Sequence, residues 1–236
     1  MGSDVSADRV LMPGVTLSHS TDLIHVRFAQ PHRALSSAVL NGGYCDASDF
    51  LNVRVARHSP DETEDPELTL QRLSDQRQCS GITVAMMTAA SLDSLRVVSG
   101  SIDGETLTVV VTTGMANARS AGDKAEYRLL DGVPSERGTI NLAVITSAQI
   151  AEAALVEMVA IATEAKVAAL HELAVRSPVS GRLATGTGTD AIAIFSGHGL
   201  GCARFAGKHT LLGERLGNMV MQAIKSSVDY KKELPA

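Results

Sequence analysis

The stretch from Ala148 to Val175 constrains this chain most, because it is long, helix-forming and dominated by Ala, Val, Leu, Ile and Met. A helix that is apolar around most of its circumference must be covered by a large core or by a bilayer. Glu152, Glu157, Glu164, Lys166, His171 and Glu172 interrupt the stretch, whereas a membrane span needs about 18 or more residues with almost no charge. The stretch therefore reads as a buried helix, and the rest of the chain must supply its cover.

That cover is available. With 236 residues, 44% of them hydrophobic and 20% charged, the chain can bury one substantial core, and residues 1–236 read as a single domain. Aromatic residues are only 3% and Trp is absent, so the core is aliphatic and platforms for stacking bases are scarce. The net charge of −5 with no basic run argues against nucleic acid as a partner. Cys45, Cys79 and Cys202 are odd in number, far apart and without a CxxC pair, which indicates neither a disulfide framework nor a cysteine zinc site. Together with the polar start MGSDVSADRV, they suggest a cytoplasmic protein without membrane attachment.

Thr16 to Ser18 and Asp22 to Ala29 read as an opening hairpin, with Pro31 ending the second strand. Leu35 to Gly43 (LSSAVLNGG) reads as a short strand entering a glycine turn, and Leu51 to Val55 as another short strand. Asp65-Pro66 closes an acidic segment and caps a helix to about Gln78. Gly81 to Ala90, Leu95 to Asp103 and Glu105 to Thr113 are expected strands, the last two joined by a type I′ turn at Asp103-Gly104. Gly138 to Thr146 is another, and Thr146 with Gln149 fits a capping box starting the long helix, which should end near Ala174. Ala191 to Ser196 is a last buried strand, and Thr210 caps an amphipathic helix to about Val228. The pattern predicts an α/β fold in which helices pack against a mixed β-sheet in a single layered domain, with an α+β arrangement as the alternative. The apolar helix also points to a homodimer, since a second copy could cover it.

The histidines form neither HxH nor HExxH, and GxSxG and GxxxxGK[ST] are absent, so motifs for a zinc enzyme, a serine elbow and a P-loop are all missing. Small and polar residues instead gather at strand ends: LSSAVLNGG with Ser36, Ser37, Asn41 and Gly42; Thr112 to Gly122 (TTGMANARSAG) with Thr113, Asn117 and Arg119; GTIN from Gly138; and Ala184 to Asp190 (ATGTGTD) with Thr187 and Thr189. Each can be a plain turn, but together they can bring backbone N–H groups and hydroxyls to one substrate. Asn117 to Arg137 reads as an active-site loop. Asp190 either orients or deprotonates a reacting group or only ties its own turn. Glu157, Glu164 and His171 share one helical stripe, either a solvated face or the place for a carboxylate of raised pKa, while Lys166 lies on roughly the opposite side. His209 falls beside a helix N-terminus, where a neutral imidazole could donate to a ligand.

SSAVLNGG, MTAAS, TTGMANARSAGD, GTINLAVIT, the EAK of Glu164 to Lys166, ATGTGTD and GKHTLLGE, in this order from about Ser36 to Ile224, resemble the adenosylcobinamide amidohydrolase family. The resemblance implies hydrolysis of the amide joining aminopropanol to a corrin propionate, giving adenosylcobyric acid during corrinoid (vitamin B12) salvage. It also implies a corrinoid substrate whose cobalt arrives inside it, so that no cofactor and no protein-bound metal are expected. Amide hydrolysis needs an activated nucleophile, oxyanion donors and an acid for the amine. Glu164 or Asp190 is the candidate for activating water, Asn117 or backbone N–H groups for the oxyanion, and Ser36, Ser37, Asn41, Gly42, Thr113, Arg119, Thr187, Thr189 and His209 for holding substrate. A threonine freed by self-cleavage at Gly138-Thr139, Gly186-Thr187 or Gly188-Thr189 is a second mechanism. A non-catalytic corrinoid- or nucleotide-binding module is the alternative from another class.

Overall fold

The computed structural model describes residues 8–55, 65–126 and 139–229. In chain order the elements are β1 (Arg9–Met12), β2 (Val15–His19), β3 (Leu23–Ser36), β4 (Gly43–Arg54), α1 (Pro66–Gln76), β5 (Ile82–Thr88), β6 (Arg96–Ile102) and β7 (Glu105–Thr113). They continue with β8 (Ala118–Arg119), β9 (Ile140–Thr146), β10 (Gln149–Ile150), α2 (Glu152–Glu172), β11 (Gly186–Thr187), β12 (Ala191–Ser196), β13 (Cys202–Ala203) and α3 (Leu211–Val228). Nine strands join one mixed sheet in the order β1-β2-β3-β12-β9-β7-β6, with β4 beside β3 and β5 beside β4. The α/β class with helices packed on a mixed sheet is thus as expected.

β3 is the hinge of this sheet. One of its edges pairs with β4, and the other pairs with β2 over Ile24–Phe28 and then with β12 over Arg33–Ser36. Pro31 does not end the strand: the pairing with β4 shifts register between Arg27 and His32, so the residue without a ladder N–H sits in an irregularity where none is required. For the same reason the two short strands expected around Leu35 and Leu51 are the end of β3 and the end of the longer β4.

Side-chain alternation builds the layers. Leu107, Val109, Val111, Leu142, Val144 and Ile194 face α2 and α3. Their neighbours Val110, Ala143, Ile145, Ala193 and Phe195 face Val26, Phe28, Phe50, Val84 and Met86 of β3, β4 and β5. Phe195 lies at the centre of that interface, 5.0 Å from Phe28 and 5.6 Å from Phe50 between ring centroids. The outer side of the second layer, Leu51, Val53 and Ala85, is covered by Leu70 of α1. The order is helix, sheet, sheet, helix, and a strand buried on both faces reads as the continuous apolar runs INLAVIT and AIAIF.

α2 receives its cover within the chain, burying Ala154, Leu155, Met158, Ile161, Ala162, Ala165, Ala169 and Leu170 against α3 and the sheet. Its start corrects the expected capping box. The helix begins at Glu152 with Ala151 as an N-cap that makes no side-chain bond. Gln149 and Ile150 are used instead as a short strand parallel to Cys202 and Ala203, and the Thr146 hydroxyl donates to Thr106 O at 2.9 Å. Thr210 and Asp65 do cap their helices, accepting from Gly213 N and Glu67 N. Asp103 and Gly104, both with positive φ, form the expected hairpin turn between β6 and β7.

Candidate active site

β9 and β12 run parallel with Ala191 opposite Asn141, so their N-terminal ends lie side by side. Asp190 stands just before β12. Its Oδ1 accepts from Ile140 N at 3.0 Å, Thr187 N at 3.1 Å and the Thr187 hydroxyl at 2.5 Å. Its Oδ2 forms an ion pair with Lys166 Nζ, brought by α2, and both side chains are only about 15% exposed. A Cβ on Gly186 would meet the Asp190 carboxylate and come to 3.0 Å from Lys166 Nζ, so the pair depends on glycine there. A cavity of about 110 Å³ opens over the pair, lined also by Ile140, Leu142, Ala162 and Thr163.

The antiparallel pairing of β8 with β11 sets Thr187 opposite Ala118, and Asn117 Nδ2 lies 3.3 Å from where a Cβ of Gly188 would stand. Asn117 is 3% exposed, and its Oδ1 is the one buried side-chain polar atom without a partner among the described residues. A buried acceptor without a donor is costly, of the order of 1–3 kcal/mol, unless a ligand supplies one. Behind the strand ends a polar chain crosses between the two sheet layers. The Thr139 hydroxyl bonds to Thr189 O at 2.6 Å and to Asn141 Oδ1 at 3.2 Å; Asn141 Nδ2 donates to Asn52 Oδ1 and Met87 O; and Asn52 Nδ2 donates to the Thr112 hydroxyl.

The residues singled out in the sequence divide accordingly. Asp190, Thr187, Thr189 and Asn117 come together, and Arg119 follows on β8, where its guanidinium pairs with Glu126. The Ser37 hydroxyl accepts from Ile192 N at 3.1 Å, two residues beyond Asp190. Ser36 serves its own turn by accepting from Ala38 N, and Gly42 closes that turn where a Cβ would collide with Ala38 O. Asn41 is held at positive φ and donates to Thr83 O on β5. Thr113 is buried and shares its hydroxyl with Ser227 of α3. Glu164 is half exposed and pairs with Lys208, so of its two readings the solvated face is the one present; His209, next to Lys208 in sequence, is exposed. Within the loop expected to carry function, residues 127–137 lie outside the described residues, as does Gly138. Lys166 and Asn52 were not picked out as site residues; Thr139 and Asn141 were named only within GTIN, Thr139 also as a nucleophile freed by self-cleavage. The one available signal was an Asn interrupting each of the apolar runs FLNV and INLAV, since a buried amide demands partners.

A larger cleft of about 480 Å³ lies at the opposite ends of β9 and β12, bordered by His32, Glu105, Ser147 and His198. Burial lowers the pKa of His32, while the Ser147 hydroxyl and the backbone N–H of Gly201 hold the Glu105 carboxyl low. Those bonds occupy Glu105. The small cavity is the better candidate despite its size, because the Lys166–Asp190 pair lines it and the Thr187 hydroxyl donates to that same carboxylate.

Residues 10–236 match the family model described as adenosylcobinamide amidohydrolase. An uncharacterized protein of Methanocaldococcus jannaschii is 37% identical over 158 residues, which are 61% of this chain and 60% of that protein. An adenosylcobinamide amidohydrolase of Methanosarcina mazei is 27% identical over 209 residues, covering 84% of this chain and 90% of that one. Among solved structures, a Burkholderia sp. β-aminopeptidase superposes with a TM-score of 0.43 at 14% identity, covering 89% of this chain and 78% of that one. The chain belongs to the adenosylcobinamide amidohydrolase family.

Proposed function

We propose that this chain hydrolyses the aminopropanol amide of adenosylcobinamide to adenosylcobyric acid, as a cytoplasmic step of corrinoid salvage. The family membership supports the substrate. The observation that carries the chemistry is the largely buried Lys166–Asp190 pair with the Thr187 hydroxyl donating to the same carboxylate; the unpartnered Asn117 carbonyl belongs to the segment just before β8, which pairs with Thr187. Cobalt enters as part of the corrinoid, and an ammonium already seated on Asp190 opposes a second cation at that carboxylate.

In this mechanism the Thr187 oxygen attacks the amide carbon while its proton passes to Asp190, the acceptor already 2.5 Å away. The Lys166 ammonium meets the negative charge developing on the carbonyl oxygen. Asn117 Oδ1 accepts the substrate amide N–H, so it orients the leaving group rather than the oxyanion. Collapse of the intermediate breaks the C–N bond, the proton on Asp190 passes to the amine, and aminopropanol leaves. The ester left on Thr187 is then hydrolysed by water, which regenerates the hydroxyl. Ser37, Arg119 and Thr189 border this site and are proposed substrate contacts. The competing chemistry uses Thr139, whose hydroxyl heads the polar chain, as a nucleophile freed by cleavage after Gly138.

The test is incubation with adenosylcobinamide and mass spectrometry of released aminopropanol. Product is expected from the wild type and not from Asp190→Asn or Thr187→Ala. Tight corrinoid binding without product would reduce the protein to a binding module. An intact mass of 24.7 kDa for active protein removes the Thr139 route.

A further inference from the structure

A second cluster of chemically capable side chains lies at the other side of the molecule, under α1. His25 of β3, Asp49 of β4 and Cys79 of the α1–β5 turn offer one ligand atom each, all within 4.8 Å of one another. His25 and Asp49 are each 3% exposed, while Cys79 reaches partial exposure. His25 is eight residues before the part of β3 that pairs with β12 at Arg33, so the cluster is separate from the Asp190 site.

The geometry separates two readings of a Cys, a His and an Asp in contact. A nucleophilic triad uses both ring nitrogens, one toward the carboxylate and one toward the nucleophile. Here the same atom, His25 Nε2, is 2.7 Å from Asp49 Oδ1 and 3.7 Å from Cys79 Sγ. Three ligand atoms this close together can instead share one metal ion. Tetrahedral zinc, at about 2.0 Å from nitrogen and oxygen and about 2.3 Å from sulfur, needs an N···S separation of roughly 3.5 Å and an N···O separation of roughly 3.3 Å. The thiol therefore stands close to its place, while the 2.7 Å His25–Asp49 hydrogen bond must give way and open as the metal replaces its proton.

The surroundings are built to hold that arrangement. The other Asp49 oxygen accepts from Ser80 N at 3.1 Å, which fixes the carboxylate. Positive φ at Gln78 and Gly81 bends the turn so that Cys79 and Ser80 face the strand pair. The neighbouring Leu70, Leu73 and Met87 make an apolar shell, and Cys79 is partly exposed, so an ion can reach the site from solvent.

We propose that His25, Asp49 and Cys79 bind one thiophilic divalent cation, zinc being the best match to the donor set. Binding takes the thiolate and the neutral imidazole, so it releases the Cys79 proton and any proton on His25 to solvent. The test uses the full chain freed of metal by chelation, titrated with Zn²⁺ by calorimetry and with Co²⁺ by absorbance. One Zn²⁺ per chain and a thiolate-to-cobalt charge-transfer band are expected. Cys79→Ser should abolish the band and weaken Zn²⁺ at least about tenfold, and His25→Gln should weaken it comparably. If the variants fail to fold, alkylation of the wild type still decides, since Zn²⁺ should slow modification of Cys79 but not of the exposed Cys202. No zinc binding, a band that survives Cys79→Ser, or unprotected Cys79 would each leave only a buried hydrogen-bonded pair and overturn the proposal.

Discussion

Lys166 and Asp190 are where a single atom change should be felt most. Removing the ammonium with Lys166→Met leaves a carboxylate about 85% buried without its counter-ion, and breaking one side of such a pair costs about 3 kcal/mol. The same change removes the proposed oxyanion partner, so aminopropanol release should fall at least about a hundredfold. Urea unfolding and a single-turnover assay read the two effects separately; turnover unchanged in a folded Lys166→Met protein would remove the lysine from the chemistry. Glu164→Gln, by contrast, alters only an exposed pair with Lys208 and should stay within about twofold of wild-type turnover. Asp190 was legible because ATGTGTD packs small polar residues against a strand. Its partner was not, since Lys166 is 24 positions away on another element and only packing of α2 on the sheet decides which of Glu164 and Lys166 turns inward. The unpartnered Asn117 carbonyl was equally hidden, because satisfaction is a property of the folded surroundings.

At the scale of elements, local signals succeeded where capping chemistry was free to act and failed where a strand claimed the same residues. The hairpin at Asp103-Gly104 and the caps at Asp65 and Thr210 need only their own neighbours. Thr146 and Gln149 have cap chemistry too, but Gln149 and Ile150 pair with β13 and leave the helix to start at Glu152. Pro31 failed as a terminator because β4 tolerates a register shift there. These assignments can be separated by stability. Thr210→Ala should lose about 1 kcal/mol in urea unfolding, the usual cost of an N-cap bond, whereas Gln149→Ala, whose exposed side chain reaches only Gly199 O, should stay within about 0.5 kcal/mol. Equal losses in the two variants would restore Gln149 to a capping role.

At the scale of the whole molecule, ionisable groups tie layers that are distant in sequence, and their pKa directions set how stability varies with pH. Asp123 joins the β8 loop to the turn after α2 by bonds to Arg182, Ser177 and Ser120 N. Those bonds, the Arg182 contact first, hold its carboxyl well below the usual carboxylate range. A depressed acid contributes stability that is present above its unfolded pKa and lost as pH falls through the folded one. His25 has the opposite sign: burial lowers its pKa, but the Asp49 carboxylate and then Cys79 outweigh burial and raise it above 6.5. Its contribution is complete below about pH 6.5 and is lost as pH rises through the folded value. In chelated buffer, the urea midpoint should therefore decline on both sides of a maximum. Asp123→Asn should make the acid limb shallower, Glu105 supplying the rest, and Asp49→Asn should flatten the limb on the alkaline side of the maximum, because the two groups lie on different layers and share no partner. A wild-type midpoint that does not change from pH 5 to pH 9 would uncouple His25 from folding, leaving Asp123 and Glu105, both held low, to account for acid sensitivity.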